Sequence, residues 1–148
     1  MKISSTLDLA KISNKIKKIL SPGDAVFLYG QIGVGKTTFA RILINDYENQ
    51  KKIKKSEVLS PTFNIVFQYK IKDFIIEHYD LYRIKSKKEI ENIGLFENYE
   101  QSITVVEWPE LIKPKPKNRV DLFFEYTKDM SGRTLKIKAS GRLKNNEF

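Results

Sequence analysis

A glycine-rich stretch, GQIGVGKTT at residues 30–38, constrains the fold more than any other part of the sequence. Its spacing is Gly-x-x-x-x-Gly-Lys-Thr, in which Gly30 and Gly35 allow the backbone to approach a phosphate closely. An apolar run at 25–29 has the length of a buried strand, and residues 38–47 have helical spacing. A strand, a glycine-rich loop and a helix in this order predict an α/β sheet with a phosphate-binding loop at a strand end.

The residues of this loop have expected roles in nucleotide binding. Their backbone N–H groups are expected to converge on phosphate oxygens at the positive end of the helix. The Lys36 ammonium is expected to contact the outer phosphates, and the Thr37 hydroxyl is expected to bind Mg²⁺. The nucleotide-binding residues predicted in the loop are Gly33, Val34, Gly35, Lys36, Thr37 and Thr38.

The composition excludes several other kinds of site. The chain has no cysteine and a single histidine, His78, which excludes disulfides and metal sites made of thiolates or several histidines. Oxygen-bound Mg²⁺ is then the natural metal. The 148 residues fit a single domain whose last few residues are expected to fray. The first residues lack the apolar centre of a signal peptide and no apolar run reaches membrane-spanning length, so a cytoplasmic protein without membrane association is expected.

The net charge of +9 raises the question of nucleic-acid binding. The basic residues are mostly lysines in short, scattered clusters, and no RNA-binding signature is present. This pattern favours solvated lysine surfaces over a dedicated groove, although contact with RNA or with an RNA-bound partner stays open.

Hydrophobic spacing predicts the remaining elements. A capping box at 5–8 begins a helix that ends at Ser21-Pro22-Gly23. Further along the chain the pattern predicts a hairpin of 63–69 with 74–79, a helix at 87–93, a buried strand at 103–106 and a final hairpin of 120–126 with 134–139. The predicted fold is one α/β domain of the P-loop NTPase type, with a mainly parallel sheet and antiparallel hairpin additions.

Two carboxylates stand where strands end. Asp80 follows the run FIIEHY and Glu107 follows ITVV, so both are expected near the phosphate loop. Together with Lys36 they are the candidate catalytic residues. The alternative is that both carboxylates only cap strands or pair with lysines.

Three further segments follow the loop in a fixed order: SPTF at 60–63, HYDLYR at 78–83 and VEWPE at 106–110. With the loop, they closely resemble the TsaE family, also called YjeE, over almost the whole chain. That family comprises bacterial P-loop ATPases required for N6-threonylcarbamoyladenosine formation in tRNA. The resemblance implies ATP and Mg²⁺ as cofactors, slow hydrolysis, and the TsaD and TsaB proteins as partners, through which the protein would act on tRNA to support multiple turnovers.

The resemblance also implies roles for individual residues. Thr37 and Glu107 match the family's metal-associated positions, and Asp80 matches the acidic residue of its His-x-Asp-x-Tyr-Arg motif. Ser60 and Thr62 match its switch-like segment, where a hydroxyl senses the outer phosphate.

Three more positions match the family by single residues. Thr6 and Arg133 fall where the family holds the nucleotide from the two ends of the chain. Trp108 matches a tryptophan close to the site.

Two other functions stay as alternatives. A small-molecule or nucleotide kinase needs an acceptor pocket and a closing lid, for which the stretch after the 87–93 helix is short. A nucleotide-gated binding module with incidental hydrolysis would use the same loop. A signalling GTPase is disfavoured because Asn14-Lys15-Ile16-Lys17 lacks the aspartate of the guanine-binding motif.

Overall fold

A seven-stranded mixed sheet forms the centre of the structure, a computed structural model that describes residues 1–148. The strands are β1 (Lys2–Ile3), β2 (Ala25–Tyr29), β3 (Val66–Ile71), β4 (Phe74–Asp80), β5 (Ser102–Glu107), β6 (Arg119–Tyr126) and β7 (Arg133–Ser140). The helices are α1 (Thr6–Ile19), α2 (Lys36–Gln50) and α3 (Lys87–Asn92), with short 3₁₀ helices at Tyr99–Gln101 and Gly141–Leu143.

The strand order is β1-β7-β6-β2-β5-β4-β3. The four central strands β6, β2, β5 and β4 are parallel to one another, whereas β3, β7 and β1 pair antiparallel at the two sides. This arrangement confirms the predicted α/β fold with a mainly parallel core and antiparallel hairpin additions.

Both faces of the central strands are covered, which explains their apolar sequences. One face packs against α1 and α2 in the larger core, which includes Ile16, Phe39 and Leu43. The other face of β2 packs Phe27 into a smaller core with Ile90 of α3. Because both faces of β2 are buried, its end is held rigidly, and the phosphate loop begins at that end.

The helix α1 begins as its sequence predicts. The Ser5 hydroxyl accepts a hydrogen bond from the Asp8 N–H at 3.3 Å, and the Asp8 carboxylate accepts one from the Ser5 N–H at 3.1 Å. This reciprocal pair is a capping box.

The predicted strand at 63–69 is wrong at its start, because β3 begins only at Val66. Residues 62–64 form a turn, the Ile65 N–H donates to the Pro61 carbonyl at 2.6 Å, and Ile65 has a positive φ of 68°. Phe63 therefore leaves the sheet and is 83% exposed. The apolar alternation that predicted a longer strand begins in this turn.

The two-residue strand β1, which is too short for a hydrophobic period, was not predicted and pairs with β7. At the other end, Leu143 is buried in the larger core and Phe148 packs against it. No helix combines the length and the apolar character needed to cross a membrane.

Candidate functional site

The phosphate loop joins the end of β2 to the start of α2. Gly30, Gly33 and Gly35 all have positive φ angles, of 142°, 76° and 124°. Gly35 is the N-cap of α2 and supplies no side chain to the first-turn N–H groups. These groups and the positive end of the helix are therefore offered to an anion.

Gly30 also lies too close to its neighbours for any other residue. A Cβ atom there would lie 2.6 Å from the carbonyl oxygen of Phe124, in a backbone conformation that side chains rarely adopt. We expect Gly30→Ala to lower the free energy of unfolding by about 1–3 kcal/mol, the usual cost of a strained backbone conformation.

Chemical denaturation of the protein without nucleotide measures this loss. Gly132→Ala is the matched control, because Gly132 has no positive φ and its nearest neighbour would lie 3.4 Å from the added Cβ. Equal stability of the Gly30 and Gly132 variants would contradict the strain argument.

Lys36 lies inside the loop and is only 4% exposed. Its ammonium donates hydrogen bonds to the carbonyl oxygens of Gly30 and Gln31, the latter at 2.9 Å, and lies 4.1 Å from the centre of the Trp108 ring. Burial lowers the pKa of Lys36, an effect opposed by three nearby carboxylates, Glu107, Glu110 and Asp80. Lys36 makes no ion pair within 4.0 Å, so no carboxylate of the protein pairs directly with its charge.

Thr37 and Glu107 meet across the start of α2 and the end of β5. The Thr37 hydroxyl donates to Glu107 Oε1 at 2.8 Å. Because the hydroxyl proton is used by the carboxylate, the oxygen lone pairs of Thr37 stay available to a cation. Glu107 is 2% exposed, and its Oε2 lies 2.7 Å from His78 Nε2.

Asp80 is the direct neighbour of Glu107 in the parallel pairing of β4 with β5. Its Oδ2 accepts hydrogen bonds from the hydroxyls of Ser60 and Thr62, the second at 3.0 Å, and its Oδ1 accepts from the Tyr82 N–H at 2.9 Å. Asp80 thus holds the segment before β3 against the end of β4.

These groups line one cleft of about 420 Å³, within the usual range for small-molecule sites. Its lining residues are Ile32, Gly33, Gly35, Lys36, Thr37, Thr38, Ser60, Thr62, Asp80, Tyr82, Glu107, Trp108 and Arg133. Most predicted site residues are therefore together, including Arg133 from the start of β7.

Two predicted nucleotide-binding residues do not line the cleft. The Val34 side chain is buried in the larger core, which leaves only its backbone for phosphate. Thr6 is exposed at the first turn of α1 and does not line the cleft.

His78 was not among the predicted site residues, and it is fully buried against Glu107. One feature of the sequence could have indicated its place. His78 comes two residues before Asp80, and alternate residues of a strand share a face, so the two side chains are expected on the same side of the sheet.

The donor set fits a phosphate chain with a divalent cation. It combines free helix N–H groups, a lysine without an ion-pair partner, a hydroxyl with open lone pairs and two buried carboxylates. Hard oxygen ligands are those that Mg²⁺ prefers.

The chain matches the family model described as "Threonylcarbamoyl adenosine biosynthesis protein TsaE" over residues 3–135. Among similar proteins is a "tRNA threonylcarbamoyladenosine biosynthesis protein TsaE" of Rickettsia conorii, 37% identical over 111 residues, which covers 75% of this chain and 61% of that protein. The protein of the same name from Rickettsia felis is 39% identical over 103 residues, which covers 70% of this chain and 58% of the relative. The chain thus spans about three fifths of the length of these two relatives.

A solved structure shares the fold. The crystal structure of Bacillus subtilis YdiB superposes with a TM-score of 0.71 and covers 95% of this chain and 84% of its own. At 24% identity this similarity concerns the fold alone.

Proposed function

This chain belongs to the TsaE family, and from that membership and its cleft we propose that it binds ATP with Mg²⁺ and hydrolyses it slowly, in support of threonylcarbamoyladenosine formation in tRNA. The observation that carries the proposal is the placement of Lys36 and Thr37, at an uncapped helix start, opposite Asp80 and Glu107 in one cleft. Family membership supports the role in threonylcarbamoyladenosine formation, and the residues of the cleft support the binding and hydrolysis of ATP.

Phosphate binding falls to the loop and to two basic side chains. The first-turn N–H groups of α2 would donate hydrogen bonds to the phosphate oxygens. Lys36 would exchange its bonds to the Gly30 and Gln31 carbonyls for stronger ones to a charged phosphate. Arg133, exposed on the cleft wall, would add a second positive charge.

Thr37 and Glu107 are the residues that would hold the metal. Bound Mg²⁺ would stabilise the negative charge that develops as the outer phosphate leaves. The hydrogen bond from Thr37 to Glu107 already fixes the two oxygen ligands relative to each other.

Asp80 links this chemistry to the segment before β3. Its Oδ2 is occupied by the Ser60 and Thr62 hydroxyls. If one hydroxyl turned to the outer phosphate, that oxygen of Asp80 would be free to orient a water molecule for attack. The hydroxyls would then sense the nucleotide, as expected of a switch-like segment.

The same segment supports a role for partner proteins. Leu59 and Phe63 flank it and are 55% and 83% exposed, and the Arg83 guanidinium lies 5.0 Å from the Phe63 ring. We propose that the TsaD–TsaB pair docks here on the ATP-bound protein and speeds hydrolysis, and that tRNA is reached only through this complex. Hydrolysis would then release the protein for another turnover.

Conservative changes of the two carboxylates test this division of roles. In Glu107→Gln and Asp80→Asn, the loop and Lys36 remain, so ATP should still bind. Hydrolysis should fall by about tenfold or more, which corresponds to about 1.4 kcal/mol of lost transition-state stabilisation. Phosphate release measures hydrolysis, and titration of the tryptophan fluorescence with ATP measures binding.

Glu91→Gln, on the exposed side of α3, is the control for loss of a carboxylate. Unchanged phosphate release in both site variants would return Asp80 and Glu107 to purely structural roles. Labelled phosphate appearing on a small acceptor would favour the kinase alternative. No increase in hydrolysis with the TsaD–TsaB pair would favour the binding module with incidental hydrolysis.

A further inference from the structure

His78 and Glu107 form a buried pair at the floor of the cleft. His78 is 0% exposed, and its Nε2 lies 2.7 Å from Glu107 Oε2. We infer that His78 is a positioning residue that fixes the Glu107 carboxylate for metal binding, an inference that rests on the proposed function.

The sheet explains how the two side chains meet. In the parallel pairing of β4 with β5, His78 is level with Val105, and Asp80 is level with Glu107. Because alternate residues share a face, His78 and Asp80 point to the same side as Glu107. The imidazole is therefore level with a position two residues before Glu107 and reaches Glu107 Oε2 diagonally.

The two oxygens of Glu107 have different donors. The Thr37 hydroxyl donates to Oε1 at 2.8 Å, with a longer approach of 3.1 Å to Oε2, where His78 Nε2 is the closer donor. A carboxylate held at both oxygens has a fixed plane, and its remaining lone pairs keep one direction. Without His78, only Thr37 would restrain the group, and Thr37 is itself expected to bind the metal.

The unpartnered ring nitrogen indicates which atom carries the proton. His78 Nδ1 is buried and has no hydrogen-bond partner. An ionised carboxylate only accepts, so the proton belongs on Nε2. A proton on Nδ1 would leave a buried N–H unpaired, which is costly, so the hydrogen bond to Glu107 holds the ring in the Nε2–H tautomer.

The first test uses the unchanged protein without nucleotide. His78 is the only histidine, so ¹⁵N NMR of the imidazole ring needs no assignment by mutation. The expected result is a protonated Nε2 whose signal shifts in Glu107→Gln. An Nε2 that carries no proton, or an Nε2 signal insensitive to Glu107→Gln, would overturn the inference.

The second test compares two substitutions of His78 by amide side chains, which distinguish a positioning role from a packing role. His78→Gln places its amide near the position of Nε2, whereas His78→Asn places its amide near Nδ1, out of reach of Glu107. Partners that orient metal ligands typically contribute ten- to a hundredfold to metal affinity. We therefore expect the Mg²⁺ concentration for half-maximal response to rise about tenfold or more in His78→Asn and to stay within about threefold of wild type in His78→Gln.

The response is the fluorescence of Trp108, the single tryptophan, in the presence of ATP as MgCl₂ is added. ATP affinity without metal should be unchanged in both variants. In a Glu107→Gln background, His78→Asn should add no further loss, because the oriented carboxylate is already gone. Thermal melting of every variant confirms that the fold is retained, and the NMR test decides the question if neither His78 variant folds.

The outcomes separate this inference from the proposed function. A Mg²⁺ response in wild type that His78→Asn leaves unchanged would overturn the positioning role alone. Additive losses in the double variant would also overturn it. No Mg²⁺ response in wild type would contradict the proposed metal site itself, and the metal-positioning role would fail with it.

Discussion

Lys36→Ala is expected to remove most of the stabilisation that ATP gives this protein. For the wild type, ATP with Mg²⁺ at about 100 times its dissociation constant should stabilise the fold by about 2.7 kcal/mol and raise the melting temperature by about 5–10 °C. Lys36 carries a positive charge without an ion-pair partner in the protein, so its loss leaves the phosphates facing two carboxylates with less compensation. The variant should show little shift at the same ATP concentration.

Thermal melting with and without ATP and Mg²⁺ measures this effect. Lys18→Ala is the matched control, because Lys18 is exposed on α1 and its removal lowers the net charge equally. The control should keep the full shift. A Lys36→Ala variant that is stabilised as much as the wild type would refute the assignment of the phosphate loop.

The second large effect is expected in reconstituted tRNA modification. With the TsaD–TsaB pair alone, the amount of modified tRNA should stop rising near one product per transferase complex. Addition of the wild-type protein with ATP should sustain turnover, because the proposed hydrolysis would reset the complex. Product per complex, followed over time, is the measurement.

Two variants refine this experiment. Lys36→Ala should fail because most of its ATP affinity is expected to be lost, whereas Glu107→Gln should bind the complex but reset it slowly. Raised salt should weaken docking if the exposed lysines contribute, since exposed charges are screened. Sustained turnover without this protein, or with Lys36→Ala in its place, would contradict the coupling role.

The elements around the phosphate loop were predictable because local chemistry dictates them. The apolar run at 25–29 coincides with β2, and the capping box places the start of α1. Asp80 and Glu107 could be placed near the loop because parallel strands bring their carboxyl ends to one edge of the sheet. Their grouping with Lys36 in a cleft follows from that rule.

The parts that escaped prediction depend on contacts distant in sequence. Phe63 lies in the turn before β3, and Asp80 holds this segment through hydrogen bonds from Ser60 and Thr62. Asp80 comes almost twenty residues later in the chain, so no local pattern indicates the turn. Likewise, the pairing of His78 with Glu107 requires the register of β4 against β5, which no local pattern contains. Asp80 itself was expected beside the chemistry, but its hydrogen bonds to Ser60 and Thr62 became visible only in the structure.

The position of β2 in the sheet also bears on the order of folding. Ala25 pairs with Thr104 on one side and with Arg119 on the other, so the strand before the phosphate loop has no neighbour from its own part of the chain. During synthesis the loop leaves the ribosome long before either supporting strand exists. Pairings between distant segments form late and slowly. We therefore expect a nascent chain to bind nucleotide only after β6 has emerged, and until then the unpaired, apolar β2 is a segment exposed to aggregation.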